Sequence, residues 1–265
     1  MDILIIYIPA LIIGIFLGLM GGGGSILTVP IFVYIAGLSP LVATGYSLFV
    51  VGTTSLVGAF TYARKKLLNL PVAVSFFLPS FIMIFMVRKY LLPSIPEEIA
   101  QIGSFILTKN LAIMLFFAGA MMAASFSMIK SGNATVENMD GKMVNYQRFF
   151  AQAIAVGLIT GIAGAGGGFL IVPTLVLLAH LKMRLAVGTS LFIIAINSLI
   201  GFTGDLLTLE NIDWSFLIIF SAIAISGIFI GTYLSELISA QKLKKVFGWF
   251  ILIMSIVVFF SELNK

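Results

Sequence analysis

Charge-free apolar runs, one after another, leave this chain few ways to fold. "ILIIYIPALIIGIFLGLM", "VAVSFFLPSFIMIFMV", "NLAIMLFFAGAMMAASFSMI", "FLIIFSAIAISGIFIGTYL" and "VFGWFILIMSIVVFFS" are each about long enough to cross a hydrocarbon core of roughly 30 Å as a helix. Only 9% of the 265 residues are charged, where a soluble domain carries roughly 25%. A transmembrane β-barrel would alternate polar and apolar positions in strands of about ten residues, and these runs are apolar all round. They therefore read as the spans of a polytopic helical membrane protein. The first run begins almost at Met1, without a basic stretch before it or a small-residue cleavage site after it, so it reads as a retained segment rather than a removable signal. The absence of cysteine excludes disulfides, thiolate metal sites and a cysteine nucleophile. The net charge of +5 is read by location, as a report on loop topology rather than on nucleic-acid binding.

Residues 20–30, "MGGGGSILTVP", look like a flexible linker, but a second copy argues otherwise. Setting "GIFLGLMGGGGSILTVPIF" from Gly14 beside "GLITGIAGAGGGFLIVPTL" from Gly157 brings Pro30 onto Pro173, 143 residues away. The register continues ungapped through "LSPLVATGYSLFVVGTTSLVG" and "LKMRLAVGTSLFIIAINSLIG", pairing Gly18 with Gly161, Gly45 with Gly188, Ser47 with Ser190 and Ser55 with Ser198. The glycine run thus belongs to an internal repeat. A solvated joint has nothing to solvate it inside apolar sequence.

Each half reads as an apolar stretch broken by the glycines, followed by three spanning segments. In the first half these are residues 3–19 and 26–37, then 41–62, 70–90 and 110–129; in the second, 147–163 and 169–180, then 184–204, 214–234 and 245–261. The arm after the glycines has about eleven residues, or about 16 Å of helix, which is half a membrane. It reads as the return arm of a hairpin. The organisation expected is a first transmembrane repeat over residues 1–130, a cytoplasmic linker over 131–146 within the polar stretch "KSGNATVENMDGKMVNYQR", and a second repeat over 147–265.

A hairpin that returns to its own side plus three crossings makes each half an odd unit, so the halves must be inverted. Equivalent loops should then differ in basicity. Arg64, Lys65 and Lys66 lie opposite "DLLTLENID", which has no basic residue, and uncharged "GLSPL" lies opposite "HLKMR". Placing the basic members inside gathers 11 of the 15 Lys and Arg there, and leaves Arg88, Lys89, Lys109 and Lys265 outside. The fold class expected is an all-α polytopic membrane protein of two inverted-topology repeats, each a Gly-broken helical hairpin plus three transmembrane helices, with both termini outside. A parallel arrangement, with each broken segment crossing once, leaves those charge contrasts unexplained.

A broken helix at membrane depth survives only where protein buries it or a cavity needs it. Gly22, Gly23, Gly24 and Ser25 in one half, and Gly166, Gly167 and Gly168 in the other, stand immediately before a helical arm. They aim free N–H groups and the positive end of a helix dipole toward the centre, which suits an anion. A lone glycine would read as a close-packing surface. A repeated run, each time followed by a half-length arm with a proline, reads as a site. The next helix of each half offers Ser47 and Thr54, and Ser190 and Asn197, in repeat register. Hydroxyls and an amide can donate to anion oxygens without the cost of burying Lys or Arg, although each taken singly also serves as interhelical glue. No charged residue sits mid-span. Asp205, at a helix end, is the candidate for a proton-responsive carboxylate, with an interfacial aspartate as the plainer alternative. His180, the sole histidine, reads as capping a half-helix and supports no metal site alone.

Two glycine runs leading into "LTVP" and "LIVP", each followed by "ATGYSLF" or "AVGTSLF", resemble the sulfite exporter TauE/SafE family of membrane permeases over essentially the whole chain. The resemblance implies transport of sulfur-containing or other small organic anions across the bacterial cytoplasmic membrane, by alternating access with proton or cation coupling. It implies a substrate centre at Gly22, Gly23, Gly24, Ser25, Gly166, Gly167, Gly168, Ser47 and Ser190. Tyr46, where the second half has Thr189, is a departure that makes the halves unequal. The partners expected are a small anion, the lipid bilayer and a coupling ion, with no nucleic acid and no cofactor. Sulfite, thiosulfate and organosulfonates all stay open as cargo. A passive anion channel and an intramembrane hydrolase using Ser190 and His180 are the alternatives.

Overall fold

The computed structural model describes residues 3–102, 105–130, 146–163, 168–177, 179–206 and 212–263. Helix α1 (Ile3–Met20) is followed by α2 (Gly23–Pro30), which runs on as a π turn over Ile31–Ile35. Then come α3 (Pro40–Arg64), α4 (Leu70–Met86), a second π turn (Val87–Leu91) and a closing turn α5 (Leu92–Ser94). A short antiparallel hairpin, β1 (Glu98–Ile102) with β2 (Phe105–Thr108), leads to α6 (Lys109–Lys130). The second half comprises α7 (Tyr146–Ala163), α8 (Gly168–Leu177), α9 (Met183–Asp205), α10 (Trp214–Leu237) and α11 (Ala240–Leu263). Six of the described helices are long and apolar enough to cross a membrane, three in each half, and the arms around the glycines are shorter. The protein is an all-α polytopic membrane protein. Apart from Tyr146, the linker expected over residues 131–146 lies outside the described residues.

The outer helices turn apolar side chains outward, as a lipid solvent requires. On α4, Leu70, Val74, Leu78, Ile82 and Met86 are exposed at four-residue spacing, while Phe76, Ser80 and Ile84 on another face are buried. Helices α3 and α9 form the buried centre. Leu48 lies against Gly201, Leu199 against Gly52, and Tyr62 against Gly188. Positions rise along one helix as they fall along the other, so the two repeat-equivalent helices run antiparallel. This register brings Thr54 and Asn197 level with each other at the middle of the crossing.

Small residues make the other main contacts. A Cβ on Gly14 would strike the Ala224 carbonyl, and one on Gly231 would strike that of Ile15, so α1 and α10 pack backbone to backbone through Gly14, Gly18, Gly227 and Gly231. Gly157 and Gly161 of α7, 143 residues after Gly14 and Gly18, lie as closely against the Ser80 backbone and Ile84 of α4 and the Val87 side chain at the start of the π turn. The halves therefore exchange partners: α1 packs on α10 as α7 packs on α4.

Arm α2 folds back along α1. Phe32 touches Phe216 and Phe220 near the start of α10, and Tyr7 near the start of α1 touches Phe220 as well. Both return arms end in one cap geometry. Leu38 N–H donates to Phe32 O and Leu181 N–H to Leu175 O, each at 3.0 Å, around a left-handed Gly37 (φ 70°) and a left-handed His180 (φ 53°). His180 stands where the first half uses glycine. Relieving its backbone strain by His180→Gly should stabilise the protein by about 1 kcal/mol, read as a higher unfolding temperature in detergent.

The basic turns share one end of the molecule. Lys65 Nζ pairs with Glu236 at 2.6 Å, Arg184 donates to the Glu236 carbonyl at 3.0 Å, and Asn69 N–H donates to Thr189 Oγ1 at 3.0 Å. At the opposite end, Asp213 N–H donates to Tyr46 Oη and Tyr34 Oη–H donates to Glu262, each at 2.7 Å.

Candidate functional site

The first glycine of the run makes the bend. Gly21 has φ 67°, and its N–H donates to Leu17 O at 2.8 Å, closing α1 with a left-handed cap that an L side chain resists. Gly22 is the N-cap of α2 and, having no side chain, gives no side-chain cap to the first-turn amides that Gly23, Gly24 and Ser25 begin. The Ser25 hydroxyl donates backward to Gly22 O at 2.6 Å, so it stiffens the bend. Gly24 faces α1, where a Cβ would meet Ile13 O and Leu17.

The bend of the first half touches the second half at two places. A Cβ on Gly22 would run into the backbone of Gly168, the first residue of α8, so the starts of the two half-helices meet backbone to backbone. A Cβ on Gly21 would meet Ser190 Oγ of α9. Ser190 lies seven residues, or about 10 Å, from Asn197 toward the basic end. Its hydroxyl donates to Val187 O at 2.8 Å and so offers the bend its lone pairs. Gly166 and Gly167 lie outside the described residues.

The hydroxyls and the amide expected beside the bends are all buried, and several have no partner among the described residues. Ser47 Oγ, Thr54 Oγ1 and Asn197 Oδ1 are in this state, as are Ser55 and Ser198 beside them. Asn197 Nδ2 donates to Ser80 Oγ at 2.9 Å, tying α9 to α4. A buried polar atom without a partner is costly, and such atoms gathered along one helix pair imply water or a polar solute.

Asp205 is not at the bends. It accepts from Arg88 Nη1 at 2.9 Å, and the same nitrogen donates to Thr44 Oγ1 at 3.3 Å. The charge pattern puts Arg88 on the outer side, at the end of the span over residues 70–90, and leads to no expectation of a charge mid-span. Arg88 instead lies on the π turn after α4, with its side chain 1% exposed. A signal for it existed: Ser80, Ile84 and Arg88 continue one buried stripe at four-residue spacing. Gly21 and Ser80 were missed as well. The first is hidden in the glycine run, and the second becomes visible only through its partner Asn197.

Residues 6–258 match the family described as Sulfite exporter TauE/SafE. The chain belongs to the sulfite exporter TauE/SafE family. Among its relatives, a probable membrane transporter protein of Xylella fastidiosa (strain 9a5c) is 30% identical over 253 residues, covering 93% of this chain and 91% of that protein. The probable membrane transporter protein YunE of Bacillus subtilis is 26% identical over 239 residues, covering 81% of each chain. A probable membrane transporter protein of Methanocaldococcus jannaschii is 28% identical over 202 residues, covering 74% of this chain and 70% of that one. No solved structure matches with significance. The family, the names of its relatives and the six long apolar helices make this TauE/SafE member a multi-pass membrane transporter.

Proposed function

We propose that the protein is a secondary transporter of small anions, foremost sulfite, thiosulfate or organosulfonates, in a bacterial cytoplasmic membrane. The meeting of the two half-helix starts at Gly22 and Gly168 carries this reading. Uncapped amides of α2 and the positive end of its dipole stand there beside the start of α8, away from water, where their attraction for an oxyanion is least screened. To the same solute Ser47 and Thr54 supply hydroxyls that are unpartnered among the described residues, Asn197 the amide hydrogen that Ser80 leaves free, and Ser190 its hydroxyl once it turns from Val187 O. Antiparallel packing of α3 and α9, together with the exchanged contacts of α1 and α7, supports two inverted halves that rock about this centre in alternating access. Asp205 is the carboxylate proposed to respond to a coupling proton.

Reconstituted vesicles preloaded with unlabelled sulfite should take up external radiolabelled sulfite, with saturable counterflow that thiosulfate or methanesulfonate inhibits. Equilibration without counterflow would make the protein a channel. Uptake no faster than in empty vesicles, for all three anions, would remove the proposal.

A further inference from the structure

Arg88 is a buried charge that the transport reading above does not use. Its guanidinium has two edges. One nitrogen, Nη1, is taken by Asp205 Oδ2 at 2.9 Å and by Thr44 Oγ1 at 3.3 Å. The other edge, Nε with Nη2, is buried and has no partner among the described residues. These two N–H groups point side by side from one plane, the fork that matches two oxygens of a carboxylate, sulfite or sulfonate. Leaving half of a buried cation unsolvated is costly, so the site is built for something that fills it.

The position suits a solute bound for the centre. Asp205 lies eight residues, or about 12 Å, along α9 from Asn197, on the side away from the basic turns. Arg88 reaches it from a π turn, a local widening of the helix that is common at functional sites. Lys109, 6% exposed and 3.8 Å from the exposed carboxylate of Glu97, brings a second, partly offset cation to this end; it lies one turn before Ile113, which packs with Val87 next to Arg88. Asp205 fixes the plane of the guanidinium and offsets part of its charge. A bare buried arginine would hold an anion too long for transport, whereas a tethered one binds it and lets it go.

We propose that Arg88 is an anion-binding residue on the path between the end opposite the basic turns and the glycine bends, taking one oxyanion of the sulfite, sulfonate or carboxylate class on its Nε/Nη2 edge. This rests on the transport reading for its place on a path, and the test separates the two. Full-length wild type, R88Q, R88K and D205N are purified, checked for folding and reconstituted; sulfite counterflow is measured over a concentration series, and unfolding temperature with and without sulfite or methanesulfonate.

The half-saturating sulfite concentration should rise about tenfold or more in R88Q, and also in R88K, which keeps the charge but loses the fork. In D205N it should fall, because the guanidinium loses its competing carboxylate. Thermal stabilisation by either anion should be larger in D205N than in wild type and absent in R88Q. An ion pair that serves structure alone predicts the opposite: R88Q and D205N impaired alike, with anion stabilisation unchanged in R88Q. That pattern would overturn the proposal. Should R88Q fail to fold, R88K and D205N decide by the same signs. Should wild type move no sulfite, the transport reading falls, and Arg88 is judged by stabilisation alone, with no shift in wild type counting against it.

Discussion

Gly22→Val abolishes sulfite counterflow, lowering its rate by about a hundredfold, while the protein stays folded in the membrane. The backbone at Gly22 (φ −66°, ψ −11°) is helical and tolerates any residue, so the loss is steric. A Cβ there meets the backbone of Gly168, which has no rotamer by which to yield. The half-helix starts must part by an ångström or more to admit it, and a misplacement of that size in a binding constellation costs about a hundredfold. The six long helices make their own contacts elsewhere, so the unfolding temperature should change little. Gly119→Val is the control: nothing lies within 4 Å of a Cβ there, and counterflow should be unaffected. Normal counterflow in a folded Gly22→Val protein would mean that the bends are not where the anion passes.

Gly227→Leu gives the contrasting result, a loss of stability. A Cβ at this position meets Leu11 O, with Ile15 N at 3.0 Å and the Gly14 Cα at 3.1 Å, all rigid backbone of α1. Without a hydrophobic driving force between helices in lipid, such close backbone contact supplies much of the attraction between them. Forcing α1 and α10 apart should cost about 3 kcal/mol and lower the unfolding temperature by about 10 °C in detergent, with reduced yield of membrane-inserted protein. An unchanged unfolding temperature would show that these glycines are incidental to the packing.

The two variants separate two uses of one residue type, which the bare sequence does not sort. Gly22 and Gly24 stand two apart in one run. One meets the opposite half and the other packs on its own neighbour α1, because successive positions at a helix start face different directions. Spacing does better where a periodicity exists. Gly14 with Gly18, and Gly227 with Gly231, show the four-residue interval of helix–helix contacts in membranes. The first glycine bend and the start of the second arm were legible because an internal repeat, its copies offset by 143 residues, marked them.

The sequence by itself determined the solvent, the number and length of the spans, the broken arms and which turns are basic. These follow from the length and charge of contiguous segments, which hydrocarbon thickness and the cost of burying charge read directly. Only the tertiary structure decided that Arg88 is buried and paired with Asp205, that Asn197 meets Ser80, and that Gly22 rests on Gly168. Each of these contacts joins residues more than a hundred positions apart in the chain. Their energy depends on two helix faces being brought into register, a quantity that neither segment carries on its own.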